Sequence, residues 1–162
     1  MIRHARAADH AAIRAVNLAA FPQAAEADLV ERLRADGDVV FEMVAEDQGA
    51  IVGHILFSRL WADSANLYVA LAPMAVRPEH QRQGLGSALV RGGLEFCQEC
   101  GAHGVVVLGH PDYYPRFGFS AEAAGNIRSP YAGSPAFMAK AFEDDAFEAP
   151  LTLAYPDAFN GL

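Results

Sequence analysis

The sequence predicts an α/β domain, a mixed sheet with helices on both faces and one parallel pair of strands. Three observations predict it. Two segments of helical period precede any long apolar run. Two strand-like runs, "VVFEMVAED" and "AIVGHILFSRL", then flank Gln48-Gly49, the pattern of an antiparallel hairpin. From Leu71 to Leu108 a strand, a helix and a strand follow one another, a βαβ unit whose crossover makes its two strands parallel.

In order along the chain, a short strand runs from Ile2 to Arg6, and Asp9 is placed to cap a helix reaching about Ala20, with Ile13 and Val16 on one face. Phe21-Pro22 ends it. A second helix, about Ala24 to Ala35, carries Leu29, Val30 and Leu33 and stops at Gly37. After the hairpin and a loop around Trp61–Asn66 comes "ANLYVALAPMAV". Its Pro73 cannot donate to a sheet ladder, so in so apolar a run it predicts a bulge. A helix to about Cys100 ends at Gly101. "GVVVLG" is a wholly apolar strand of the kind buried on both faces. The remainder, "YYPRFGFSAEA", "AFMAKAFE" and "APLTLAYPDAF", predicts a short helical turn and two or three strands. Neither a repeat nor a low-complexity linker interrupts residues 1–162, so a single domain is expected.

Composition narrows the function classes. The chain is 52% hydrophobic and 20% charged, the balance of a folded soluble domain. Its net charge of −8 argues against nucleic acid as a partner, because gripping phosphates needs a basic face. No run approaches the ~18 apolar residues of a membrane span, and "MIRHARAADH" lacks the apolar core of a signal peptide, so a cytoplasmic protein without a membrane partner is expected. Cys97 and Cys100 form a CxxC late in a helix with no second ligand pair, which favours ordinary helix residues over a metal or redox site.

The stretch "HQRQGLGSALV" carries the chemistry. Glycine weakens a helix by roughly 0.5–1 kcal/mol relative to alanine, yet Gly84 and Gly86 stand where one begins. Side-chain-free backbone at a helix N-terminus presents several N–H groups in one direction, an anion cradle. Arg77, Arg82 and Arg91 against the single acid Glu79 make this segment locally +2 in an acidic chain. A phosphate-bearing ligand is implied. The nucleotide-hydrolase loop would need a lysine, and the dinucleotide fingerprint would need different spacing and an acid about 20 residues on.

Gln81-Arg82-Gln83-Gly84-Leu85-Gly86 does satisfy Q/R-x-x-G-x-G/A, and here the chain resembles the GNAT superfamily of acyl-CoA-dependent N-acetyltransferases. The interruption at Pro73 matches the superfamily's strand bulge, and "YYPRFGF" resembles its aromatic-tyrosine-x-x-x-glycine-phenylalanine signature. "VVVLGHPDYYPRFGF", "LAPMAV", "GHILFS" and the closing "YPDAF" are similar to the YhbS-like group within it.

The resemblance implies the GNAT fold, a mostly antiparallel sheet of six to seven strands with one splayed parallel pair. It implies acetyl-CoA as co-substrate and no metal. The pyrophosphate would sit on the amides of Arg82, Gln83, Gly84, Leu85, Gly86 and Ser87, with Gln81 opening the motif. The pantetheine arm would bond main-chain groups of Met74, Ala75 and Val76, and the Met74 amide would polarise the thioester carbonyl. Direct transfer to a primary amine would use Tyr114 as the acid for the leaving thiolate, with Tyr113 and Phe117 as packed aromatics. The superfamily's usual base, a carboxylate on the strand before the glycine loop, has no counterpart in "NLYVALAPMAV". Glu26, His110 and His54 are the candidates that remain. An amine of pKa near 10.4 gives up its proton at about 4.6 kcal/mol at pH 7, an α-amine at only about 1 kcal/mol, so without a good base the weaker amine is the easier acceptor.

The two leading helices, the Trp61 loop and the tail around Tyr131 would frame the acceptor, whose identity no motif selects. Two rivals stay open. One is a non-catalytic acyl-CoA-binding regulatory module, favoured by the missing carboxylate. The other is an enzyme for a longer acyl chain, for which Ala70, Ala72 and Ala75 would leave room. Edge strands near the C-terminus would permit a homodimer.

Overall fold

The computed structural model describes residues 1–160; Gly161 and Leu162, the last positions of the expected 1–162 domain, lie outside the described residues. In chain order the elements are β1 (Ile2–His4), α1 (His10–Ala20), α2 (Ala25–Asp36), β2 (Val39–Asp47), β3 (Ala50–Arg59), β4 (Trp61–Ala62), β5 (Tyr68–Val76), α3 (Leu85–Glu99), β6 (Gly104–Leu108), β7 (Ile127–Arg128), β8 (Phe137–Ala141) and β9 (Leu151–Ala154). Six strands form the main sheet in the order β1-β2-β3-β5-β6-β8. Every pairing in it is antiparallel except β5 with β6.

The two-residue period of β2 and β3 sorts their side chains onto the two layers. Met43, Ala45, Ile55 and Phe57 join Leu89, Val90, Leu94 and Cys97 of α3 in one core. Val44 and Leu56 face the other way, onto Ile13 and Val16 of α1 and Leu29, Val30 and Leu33 of α2. Helix α3 also contains Gly93, where a Cβ would run into the Phe57 ring, so that glycine is a close-packing requirement of the core. Helix α2 stops as expected at Gly37, whose φ of 76° is left-handed.

Two details differ from expectation. Asp9 does not cap the α1 amides. It closes a short 3-10 turn, Ala7–Asp9, and its carboxylate accepts from the Arg3 guanidinium at 2.7 and 3.0 Å and from the Arg6 amide at 2.8 Å. The Trp61 segment is not wholly loop: Trp61 and Ala62 pair with Ala154 and Leu153, and β4, β9 and β7 make a separate three-stranded sheet. Two-residue strands carry too little period to be read from sequence.

The bulge at Pro73 is present. Ile55 pairs with Met74 and Phe57 with Leu71, so Ala72 and Pro73 together oppose Leu56. Strands β5 and β6 pair from Tyr68/Gly104 to Leu71/Val107 and then separate, β5 continuing to Val76 alone on that side. A cleft opens between them. Among the described residues no helix is long and apolar enough to cross a membrane.

Candidate active site

The glycine loop leaves β5 through a 3-10 turn, Pro78–His80, and returns at the N-terminus of α3. Arg82 and Gly84 take left-handed φ values of 63° and 83°, a turn that aims successive amides to one side. At Gly84 this conformation strains any residue with a Cβ. Ala88 is the first amide with an intrahelical partner, the Gly84 carbonyl at 3.0 Å. Among the described residues, none of the amides from Arg82 to Ser87 has a partner, and no side chain caps the helix. At Gly86 a Cβ would meet only Met74 at 3.4 Å and the Tyr113 hydroxyl at 3.5 Å, ordinary contacts. Packing therefore does not demand this glycine. Its missing side chain leaves the amides reachable from the cavity they face.

That cavity, about 550 Å³, is lined by Met74, Ala75, Val76, Gln81, Arg82, Gly84, Leu85, Gly86 and Ser87, the expected residues apart from Gln83, which is exposed. Gln81 donates its side-chain amide to the Val76 carbonyl at 3.0 Å, tying the loop to β5. The Arg77 amide donates to Val52 of β3 at 2.8 Å, and antiparallel alternation then turns the main chain of Ala75 towards β3 and that of Met74 and Val76 towards the open edge. Met74 and Val76 are thus the two residues of the three whose main-chain groups face the cleft.

Five lining residues, Ala20, Phe21, His80, Tyr113 and Arg116, were not singled out as ligand-facing in the sequence, and three of them shape the site. Tyr113 is half-buried in the cavity wall, and its hydroxyl lies 3.0 Å from the Ser87 Oγ. It is more than a packed aromatic. Arg116 donates Nε to the Tyr113 carbonyl at 2.9 Å and lays its guanidinium over the Tyr113 ring, 4.6 Å from the centroid, which adds a second arginine to Arg82 in the lining of this cavity. Phe21, just after α1, also lines the cavity.

A second cavity of about 310 Å³ follows directly, sharing Phe21, Met74 and Tyr113 with the first. It holds Tyr114 and the exposed His110. The Tyr114 ring lies where a Cβ at Gly109 would be, so Gly109 makes room for it. Burial, reinforced by neighbouring Tyr113, pushes the Tyr114 phenol up to about 12. A third cavity of about 320 Å³ shares Leu71, Ala72, Pro73, Val107 and Leu108 with the second and contains Glu26 of α2. The three form a row through the splay, from loop amides past Tyr114 to Glu26.

His54 lies elsewhere. Fully buried, it sits in a chain with Arg34, Glu42 and Asn17. Burial lowers its pKa, so the neutral ring donates Nε2–H to Glu42 at 2.8 Å and accepts from Asn17 at Nδ1. Its ring is occupied by structural partners. Cys97 is in the core, where burial pushes its thiol up, and the Cys100 thiol donates to the Cys97 carbonyl at 3.3 Å. Among the described residues no group of three His, Cys, Asp or Glu is placed to hold a metal ion.

The model of the acetyltransferase (GNAT) family matches residues 9–119. The chain is 38% identical over 144 residues to the uncharacterized N-acetyltransferase YhbS of Escherichia coli K12, covering 86% of each protein. The crystal structure of Escherichia coli YhbS in complex with CoA superposes with a TM-score of 0.91 at 35% identity, covering 99% of this chain and 91% of that one. A GNAT family acetyltransferase from Brucella melitensis in complex with acetyl-CoA gives 0.83 at 34% identity, covering 99% and 97%.

Proposed function

The chain belongs to the acetyltransferase (GNAT) family, and from that membership we propose that it moves an acetyl group from acetyl-CoA directly to a primary amine. The observation that carries the reading is the unpartnered run of amides from Arg82 to Ser87, opening on the same cavity as the free edge of β5 and leading on to Tyr114 and Glu26. When bound, acetyl-CoA supplies an acetyl group activated as a thioester. The loop amides and the α3 dipole hold the pyrophosphate charge, with Arg82 and Arg116 beside them. Met74 and Val76 bond the pantetheine arm in the manner of an added strand, and the Met74 amide favours negative charge on the carbonyl oxygen.

Tyr114 stays protonated at neutral pH and gives its proton to the departing sulfur. An acceptor ammonium gives up two protons on becoming an amide and the thiolate takes one, so one proton is released overall. Glu26 receives it from the acceptor side, and His110, exposed at the middle cavity, is the second base within the row.

The test is thiol release from acetyl-CoA with a mixture of primary amines. Release that depends on amine and falls about 10²–10⁴-fold in Tyr114→Phe, the usual worth of a general acid, supports the reading. Tight acetyl-CoA binding with no amine-dependent release overturns it.

A further inference from the structure

The third cavity constrains the acceptor more closely than its position does. Glu26 lines it, and one of its oxygens, Oε1, is buried without a hydrogen-bond partner among the described residues. Among the described residues Glu26 is the only acidic or basic side chain of that lining, so an ammonium entering the cavity meets one opposite charge. The rest of the lining is apolar or aromatic. It includes Leu29, Pro73, Tyr131, Tyr155 and Phe159. Tyr155 meets Tyr131 edge-on at 5.1 Å between centroids and Phe159 at 5.2 Å, a continuous aromatic wall. At the junction with the Tyr114 cavity stands Leu108, 48% exposed, one of the few large apolar side chains left open to water.

We propose that the acceptor is a small monoamine, one ammonium group on a compact alkyl or aralkyl body, with the nitrogen on Glu26 and the body between Leu108 and the aromatic wall. The inference rests on the acetyl-transfer reading above. Chemistry excludes the common alternatives. A polyamine would set its second charge against an apolar surface. A free amino acid would bring a carboxylate towards Glu26, and the cavity's lining among the described residues contains no Arg, Lys or His to meet it. An apolar body loses water on entry and covers Leu108, which is where the specificity comes from.

The experiment is thiol release at saturating acetyl-CoA with n-alkylamines from ethyl to octyl, 2-phenylethylamine, spermidine, lysine and a lysine-containing peptide. Acetyl-CoA binding is measured beside it by calorimetry. The expected result is a kcat/KM that rises about threefold to fourfold per methylene until the cavity is full and then falls, with spermidine and lysine at least tenfold poorer. Glu26→Gln lowers kcat/KM for the best monoamine at least tenfold while acetyl-CoA binds as before. Ala72→Leu, which fills the shared wall, shortens the optimal chain. A flat series, or preference for spermidine, lysine or the peptide, overturns the monoamine assignment and leaves acetyl transfer standing. Acetyl-CoA binding with no amine acetylated overturns both.

Discussion

The Gln81 side-chain amide donates to the Val76 carbonyl at 3.0 Å, joining the glycine loop to the strand edge that faces the cavity of about 550 Å³. The bond spans the 3-10 turn and fixes how far the loop amides stand from β5. A net hydrogen bond is worth about 1 kcal/mol, and little of the core depends on this one. Gln81→Ala should therefore weaken acetyl-CoA binding about fivefold to tenfold in calorimetry while the thermal midpoint moves by only a few degrees. Unchanged affinity would mean that the loop holds its shape without the latch.

Gly109 and Tyr114 are coupled by space. A Cβ at Gly109 falls inside the Tyr114 ring, so Gly109→Ala must displace the phenol. The donor cavity does not include Gly109. The expected outcome is kcat reduced at least tenfold with acetyl-CoA affinity within twofold of the parent. Equal losses in both would place the effect in general unfolding.

With Tyr114 as the proposed acid, its raised phenol would set the alkaline side of the pH profile. Its pKa moves from 10.0 up to about 12, chiefly through burial, so the proton is held throughout pH 7–10. Over that range kcat/KM should rise about tenfold per pH unit until the acceptor amine is neutral, with no descending limb before pH 10. A descending limb near pH 8–9 in kcat would contradict Tyr114 as the acid.

Acid stability follows from the buried chain around Glu42. Burial alone would raise this carboxyl, but hydrogen bonds from His54 and Arg34 outweigh it and hold the group at about 2, below the ordinary 4.5. A depressed folded pKa contributes stability that is present above 4.5 and lost as pH falls through 2, here on the order of 3 kcal/mol. His54, lowered by burial, acts in the same direction, because the unfolded chain takes up its proton first as pH drops below 6.5. The urea midpoint should hold near pH 7 and fall steadily between pH 5 and 3; a flat midpoint would contradict the paired assignment.

Much of this frame was legible because it is written in local chemistry. The hairpin at Gln48-Gly49, the stop at Gly37 and the bulge at Pro73 each follow from one residue's backbone limits, and each stands where the sequence places it. The small sheet of β4, β9 and β7 did not show, since Trp61–Ala62 and Ile127–Arg128 are too short for a period. Asp9 looks like a helix cap in the sequence because Arg3, its true partner, reaches it only after β1 folds beside the turn. The clustering of donor-cavity residues was readable from one contiguous motif. Arg116 and the unpaired oxygen of Glu26 were not, because both acquire their meaning from neighbours distant in sequence.

If Gly86 serves a ligand and not the fold, Gly86→Glu separates the two. The position is the second residue of α3, where a carboxylate favours the helix, and its Cβ meets nothing closer than 3.4 Å. The new side chain nevertheless enters the cradle and sets a negative charge against phosphate. Calorimetry with acetyl-CoA, beside a thermal melt of each protein, gives the answer. The expected result is an unchanged or raised melting temperature with affinity reduced a hundredfold or more. A variant that melts like the parent and binds acetyl-CoA equally well would contradict it.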